Sequence, residues 1–282
     1  MKLYKYRKFS EFLIRELCSS NIYFSDPKLF NDPLDCSPVI INDLKDDELE
    51  RLCFQMLVKE LGEEIALERL ENFRYYSQEH LTCEKQKLSY LYQLQSEVMV
   101  QLDAVMKNRG VLSLSSKHDS PLMWSHYADE HRGVCIEFDM DSAVRVPKAI
   151  DYDSVRGISA KLIHDYFVDG AKSALEQIES QYFFNKAGEW RYESEWRLLS
   201  NKCGENPAPF NISAVYFGMR CDNWIIASLI KLLYQHESGL KFYKMYPDRS
   251  SFELHESELY PQEWISCIPR PSVAMAFGKV ER

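Results

Sequence analysis

Gly188-Glu189-Trp190-Arg191-Tyr192-Glu193-Ser194-Glu195-Trp196-Arg197-Leu198-Leu199 is the stretch on which the reading of the fold turns. In an extended chain, residues two apart share a face. Glu193, Glu195 and Arg197 then point one way. Tyr192, Ser194, Trp196 and Leu198 point the other way, toward a core. Neighbouring carboxylates on a well-buried strand raise each other's pKa and need cations or a ligand to offset them. The alternative is a helix with Glu193 and Arg197 as an i,i+4 pair on a wet face, worth ~0.3–0.5 kcal/mol. The aromatics Trp190, Tyr192 and Trp196 favour the strand.

Outward from this stretch, extended and helical patterns interleave unevenly. Leu3-Tyr4-Lys5-Tyr6-Arg7 alternates as a first strand, and Phe9, Phe12, Leu13 and Leu17 fall at helical spacing. Asn21–Ser25 reads as a second strand, stopped by Asp26-Pro27, with a turn at Asn31-Asp32-Pro33. About residues 43–108, Leu49, Leu52, Met56 and Leu57, then Leu91, Leu94, Val98 and Val105, predict two or three helices inserted between strands. Gly110–Ser116 is a third strand with Ser113 and Ser115 on one face. Ser120 caps, and Pro121 opens, a helix through His131 that Gly133 closes, and Val134–Asp139 alternates as a fourth strand.

Beyond that strand, Tyr152 and Ile158 are expected to be buried, and Tyr166–Phe184 to be helical. Val215–Gly218 predicts a strand, Asn223–Gln235 a helix, and Lys241–Tyr246 with Ser251–Leu254 a hairpin around Pro247-Asp248. The tail after Tyr260 reads as extended. Without strict βαβ repetition, the expected class is α+β: a mixed or antiparallel sheet with flanking helices and a helical insertion, in one domain over 1–282.

Composition limits the function. The 282 residues suffice for a sizeable core, and 45% hydrophobic with 27% charged residues is ordinary for a globular protein. A net charge of −9 argues against general nucleic-acid binding. The eight cysteines form no C-x-x-C pair, Met1–Lys5 lacks a signal peptide's apolar run, and no stretch is apolar enough to span a membrane. These features predict a cytoplasmic protein with reduced thiols, no structural zinc and no membrane partner.

The polar residues on strands are the candidate chemistry. Arg7, then Ser113-x-Ser115, then Glu193-x-Glu195 resembles the active-site constellation of ADP-ribosyltransferases, and Leu198-Leu199 fits that resemblance. The resemblance implies NAD as substrate, with no tightly bound cofactor and no metal. Arg7 would grip the pyrophosphate, Ser113 and Ser115 would orient, Glu195 would be catalytic and Glu193 would position an acceptor. Cleaving nicotinamide from ribose builds positive charge on the sugar, which a fixed carboxylate stabilises. The plainer readings are a surface cation for Arg7, a strand edge for the serines, and a salt-bridge ladder with Arg191 and Arg197 for the glutamates.

Other clusters weigh less. His118, Asp119, His126, Asp129, Glu130 and His131 fall together, so a metal-dependent nuclease using them with Asp32 or Asp35 is one rival. No zinc spacing fits, and helix-surface polarity with one capping histidine is the favoured reading. A non-catalytic recognition module is the second rival. Trp124 and Tyr127 are i,i+3 core candidates, although Tyr127 or His126 would line an NAD pocket if one exists. Cys135 in mid-strand predicts burial rather than nucleophilicity.

A wider set of motifs resembles a bacterial family known as domain of unknown function 2971. They are Leu3–Arg7, Tyr23–Pro27 with Phe30–Pro33, Ser113–Ser115, Met123–Ala128 with His131–Cys135, and Tyr192–Arg197. They span most of residues 3–220, leaving the helical segment 43–108 outside. This resemblance implies no activity; the transferase resemblance adds a nucleotide ligand, an unknown macromolecular acceptor, and a toxin or phage-defence role.

Overall fold

Alternating apolar residues in the first seven positions place one strand at the middle of the protein. The computed structural model describes residues 1–19, 21–79, 82–234 and 239–267. In chain order, β1 (Lys2–Arg7) leads to α1 (Glu11–Cys18), β2 (Asn21–Phe24) and β3 (Val39–Ile41). Then come α2 (Asp46–Leu61), α3 (Glu63–Ser77), α4 (Cys83–Met106), β4 (Gly110–Ser115), α5 (Pro121–Tyr127) and β5 (Val134–Asp139). They are followed by β6 (Lys148–Ala149), β7 (Gly157–Ser159), α6 (Ala160–Phe167), α7 (Ser173–Phe183) and β8 (Glu195–Ser200). The last described elements are β9 (Gly204–Pro207), β10 (Asn211–Phe217), α8 (Asn223–Tyr234), β11 (Lys241–Pro247), β12 (Leu254–Glu258) and α9 (Pro261–Cys267).

The fold is α+β. Among the described residues the main sheet has eight strands in the order β12-β11-β10-β5-β1-β4-β8-β6. Within it β10 and β11 run parallel, and the other pairs are antiparallel. Side chains alternate between its faces, which is why β1 can be buried on both. Leu3, Leu112, Leu114, Ile136, Leu198, Val215 and Phe217 pack on one face against Leu13 and Leu17 of α1 and Ile226 and Ile230 of α8. Tyr4, Tyr6, Cys135 and Tyr216 pack on the other against Met123 and Trp124 of α5. Each fully buried large apolar side chain contributes roughly 1.5–3 kcal/mol.

Between β3 and β4, helices α2, α3 and α4 form the insertion that the 3.6-residue periodicity predicts. Leu49, Leu52, Met56, Leu70, Leu94, Val98 and Leu102 bury their shared face, together with Ile158, Ile163 and Phe183. Gly62, at φ 88, separates α2 from α3. No helix of the described residues is long and apolar enough to cross a membrane.

Several expected elements differ in extent. Gly188–Glu193 is a 3-10 turn, and the strand begins only at Glu195, because Ser194 adopts a left-handed conformation (φ 46). The helix opened by Pro121 ends at Tyr127, since Asp129, Glu130 and His131 all have positive φ. Tyr166–Phe184 is two helices parted around Gly170 (φ 72). In the late hairpin the second strand starts at Leu254, opposite Pro247. Pro261–Cys267 is helical rather than extended, with proline at the first position where its missing N–H costs nothing. Gln235 and the tail from 268 onward lie outside the described residues. Ile158 is fully buried, whereas Tyr152 is half-buried.

Candidate functional site

The site begins as a notch in the sheet. Along the edge of β4, Ser115 pairs with Tyr4 of β1. Val111, at the other end, exchanges backbone hydrogen bonds of 2.9 and 2.8 Å with Ser25, just beyond β2. Between these two anchors, Nζ of the buried Lys5 donates to the Ser113 carbonyl at 3.2 Å. An ammonium thus satisfies a carbonyl that a continuous strand pairing would have used. A cavity of about 190 Å³ opens there, with Lys5, Arg7, Ser113, Tyr127, Glu193 and Glu195 in its wall.

Below the notch lies a buried charge cluster. Arg197 is 1% exposed and sits opposite Ser113 on the neighbouring strand. Its Nε and Nη2 donate to Glu195 at 2.7 and 3.0 Å. Its Nη1 and Nη2 donate to Asp35 at 2.9 and 2.6 Å, and Nη1 also donates to the Phe183 carbonyl at 2.8 Å. The planar guanidinium therefore forks onto two carboxylates at once. The Phe30 ring lies 5.3 Å from its central carbon. Lys186 bridges the same group: Nζ donates to Glu193, and lies 3.0 Å from Glu195 and 3.4 Å from Asp35. Three carboxylates thus share two cations, and Lys5 is the next cation in the wall.

The two glutamates occupy different electrostatic states. Burial opposes ionisation of Glu195, but Arg197 and Lys186 outweigh it and hold the carboxyl down at about 2. The Ser113 hydroxyl adds to the lowering. Burial pushes Glu193 above its ordinary value, against the pull of Lys186 and the Tyr127 hydroxyl, which donates to it at 2.6 Å. Burial and the neighbouring Arg7 bring Lys5 down to about 7. Carboxylates whose environments push their pKa values apart are suited to separate roles: one ionised and fixed, one able to exchange a proton.

Local sequence explains how the pair is presented. The left-handed Ser194 turns the 3-10 segment into β8, so both carboxylates of Glu193-x-Glu195 meet Lys186 although only Glu195 belongs to the strand. The turn is tied down by Ser115, whose hydroxyl donates to the Glu193 carbonyl at 2.6 Å and accepts from Lys117 N–H at 3.1 Å. Tyr152 accepts the Glu195 N–H at 2.8 Å.

Of the residues expected in the site, Arg7, Ser113, Ser115, Tyr127, Glu193 and Glu195 all line this cavity. Arg7 does so while paired with Glu16 at 2.8 Å. His126 is absent from the wall; it is exposed, with its ring 6.2 Å from those of Tyr127 and Tyr192. Of the salt-bridge ladder expected with Arg191 and Arg197, the Arg197–Glu195 pair forms, whereas Arg191 pairs with Asp153 at the surface.

The histidine cluster does not assemble. His118 packs against Tyr4 and Tyr216 and reaches Glu256 at 3.3 Å, while His131 is buried beside Ser125 and Trp124. Asp35 is taken by Arg197, and Asp32 accepts from the Trp190 indole at 2.8 Å. Among the described residues, the His118–His131 set forms no group of metal-ligand atoms. Cys135 is fully buried, and burial raises its thiol well above the ordinary value, as an inert core residue requires.

Sequence reasoning missed Lys186 and Lys5 and treated Asp35 only as a nuclease ligand. Lys186 lies in an irregular link after α7 that carries no motif. The signal that remained was indirect: the Glu193, Glu195 and Asp35 charges exceeded what Arg197 alone offsets.

No curated protein matches the chain, and no solved structure does. Residues 123–198, from α5 through β8, match a family described as "Protein of unknown function (DUF2971)". That span holds Tyr127, Lys186, Glu193, Glu195 and Arg197, which line the cavity together. Over those residues the chain is similar to the DUF2971 family.

Proposed function

We propose that the cleft binds a nicotinamide dinucleotide and breaks its nicotinamide–ribose bond, passing ADP-ribose to water or to an acceptor. The observation that carries this reading is convergence. Arg7, Ser113, Glu193 and Glu195, far apart in sequence, line one cavity. Its volume of about 190 Å³ suits the nicotinamide–ribose end of such a ligand rather than the whole molecule.

The chemistry follows from the charges. Arg7, at the rim, binds a phosphate oxygen of the pyrophosphate. As the C1′–N bond breaks, its electron pair leaves with nicotinamide and cancels the pyridinium charge, while positive charge develops on the ribose. The ionised Glu195, fixed by Arg197, stabilises that charge electrostatically. Glu193 accepts the proton of the attacking water or acceptor hydroxyl as the new C1′–O bond forms. Tyr127 holds Glu193 in place. In a cell this reaction depletes NAD, which is an action suited to a toxin or a phage-defence effector.

Calorimetric titration of the purified protein with NAD tests the reading. Binding is expected, and Arg7→Ala should weaken it about tenfold or more, the worth of a charge-assisted hydrogen bond. Absence of NAD binding by the folded wild-type protein would overturn the proposal.

A further inference from the structure

A second cavity, of about 360 Å³, lies on the far side of Arg7 and shares both Arg7 and Ser25 with the first. Its wall includes Lys8, Phe12 and Glu16 from the β1–α1 region and Tyr23 from β2. The Glu16 side chain is only 8% exposed. Its Oε2 accepts from Arg7 Nε at 2.9 Å, but its Oε1 is buried with no hydrogen-bond partner. A buried carboxylate oxygen without a donor is costly, and a ligand hydroxyl is a group that supplies one. Phe12 and Tyr23 are large aromatic side chains left 65% and 43% exposed at the same cavity. Exposed rings of this kind provide stacking faces for a planar base. Lys8 is exposed and has no ion pair among the described residues.

We propose that this second cavity seats the distal nucleoside of the dinucleotide, and that Glu16 selects a ribose with a free 2′-hydroxyl over one carrying a 2′-phosphate. This rests on the nucleotide reading of the first cavity. The two cavities meet at Arg7 and Ser25, with Glu193 in the wall of the first and Phe12 and Tyr23 in the wall of the second. A ribose hydroxyl donates to Glu16 Oε1, as acidic residues do in other nucleotide sites. A phosphate dianion at the same place cannot donate that bond and meets the Glu16 carboxylate, which opposes it although Lys8 and the Glu205-paired Arg15 share the wall.

The test compares the affinities of NAD, NADP and AMP for the full chain by calorimetry. NAD should bind about tenfold or more tightly than NADP, and Glu16→Gln should reduce that preference to about threefold or less, the scale of one charge-assisted contact. Phe12→Ala and Tyr23→Ala, which leave the Arg7–Glu16 pair untouched, should each weaken AMP about fivefold or more through lost stacking. Equal affinity of the wild type for NAD and NADP, or AMP binding indifferent to both aromatic variants, would overturn the inference. The two proposals fail separately. Nicotinamide release unaccompanied by discrimination against NADP removes the Glu16 role alone. Glu16-dependent AMP binding without nicotinamide release removes the glycosidic reaction alone.

Discussion

Arg197 is the residue on which the site's architecture depends. Its guanidinium answers Glu195, Asp35 and the Phe183 carbonyl together. Removing it leaves two buried carboxylates short of a cation, with Lys186 alone to serve three. Arg197→Ala should therefore destabilise the fold by about 3–5 kcal/mol, measured by urea unfolding. Arg197→Lys should restore little, because a single ammonium cannot fork onto two carboxylates. Glu193 contrasts with it. Burial favours its protonated form, and Lys186 keeps Glu195 and Asp35 as partners when Glu193 is neutralised. Glu193→Gln should accordingly change unfolding free energy by no more than about 1 kcal/mol. The first variant tests a scaffold and the second a working group.

At the scale of elements, the turn between Gly188–Glu193 and β8 decides how the carboxylates meet. Ser194 holds a left-handed backbone that costs a non-glycine residue on the order of 1 kcal/mol. Ser194→Gly should raise stability by up to about that amount, read as a higher melting temperature with the site intact. Loss of stability would mean that the Ser194 side chain makes a compensating contact. The Ser120 hydroxyl caps α5 by accepting the Met123 N–H, so Ser120→Ala should cost about 1 kcal/mol. The strands β1, β4 and β5 were legible in the sequence because alternation over six residues is a strong local signal. The single strand expected over Gly188–Leu199 was not found, because period-two reasoning assumes continuous extended backbone and Ser194 breaks it. The adjacency of β1, β4 and β8 was only partly legible: motif order suggested it, but strand neighbours are set by packing across long sequence separations. Lys186 was invisible because nothing local marks a lone lysine in a link as the counterion of a distant aspartate.

For the whole molecule, the buried charges make stability rise with pH in two separate windows. Glu195 is held at about 2, below its ordinary 4.5, so its contribution is complete above pH 4.5 and is lost as pH falls toward 2. Lys5 is lowered to about 7 from its ordinary 10.5, so between those values the unfolded chain binds more protons than the folded one. Stability should therefore rise with pH across that window, and Lys5→Met should flatten the rise in unfolding free energy between pH 7 and 10. Lys5 and Arg7 line the same cavity as the Glu193–Glu195 pair and its cations Lys186 and Arg197, and that apposition underlies the proposed chemistry. Its most direct test is the rate at which nicotinamide is released from NAD by the wild-type protein and by Glu193→Gln, with both shown to be folded by their melting temperatures. Release by the wild type and a loss of about a hundredfold or more in the variant is the expected result, within the range removed with a general base. Equal rates in the two proteins, or no release by the wild type, would contradict it.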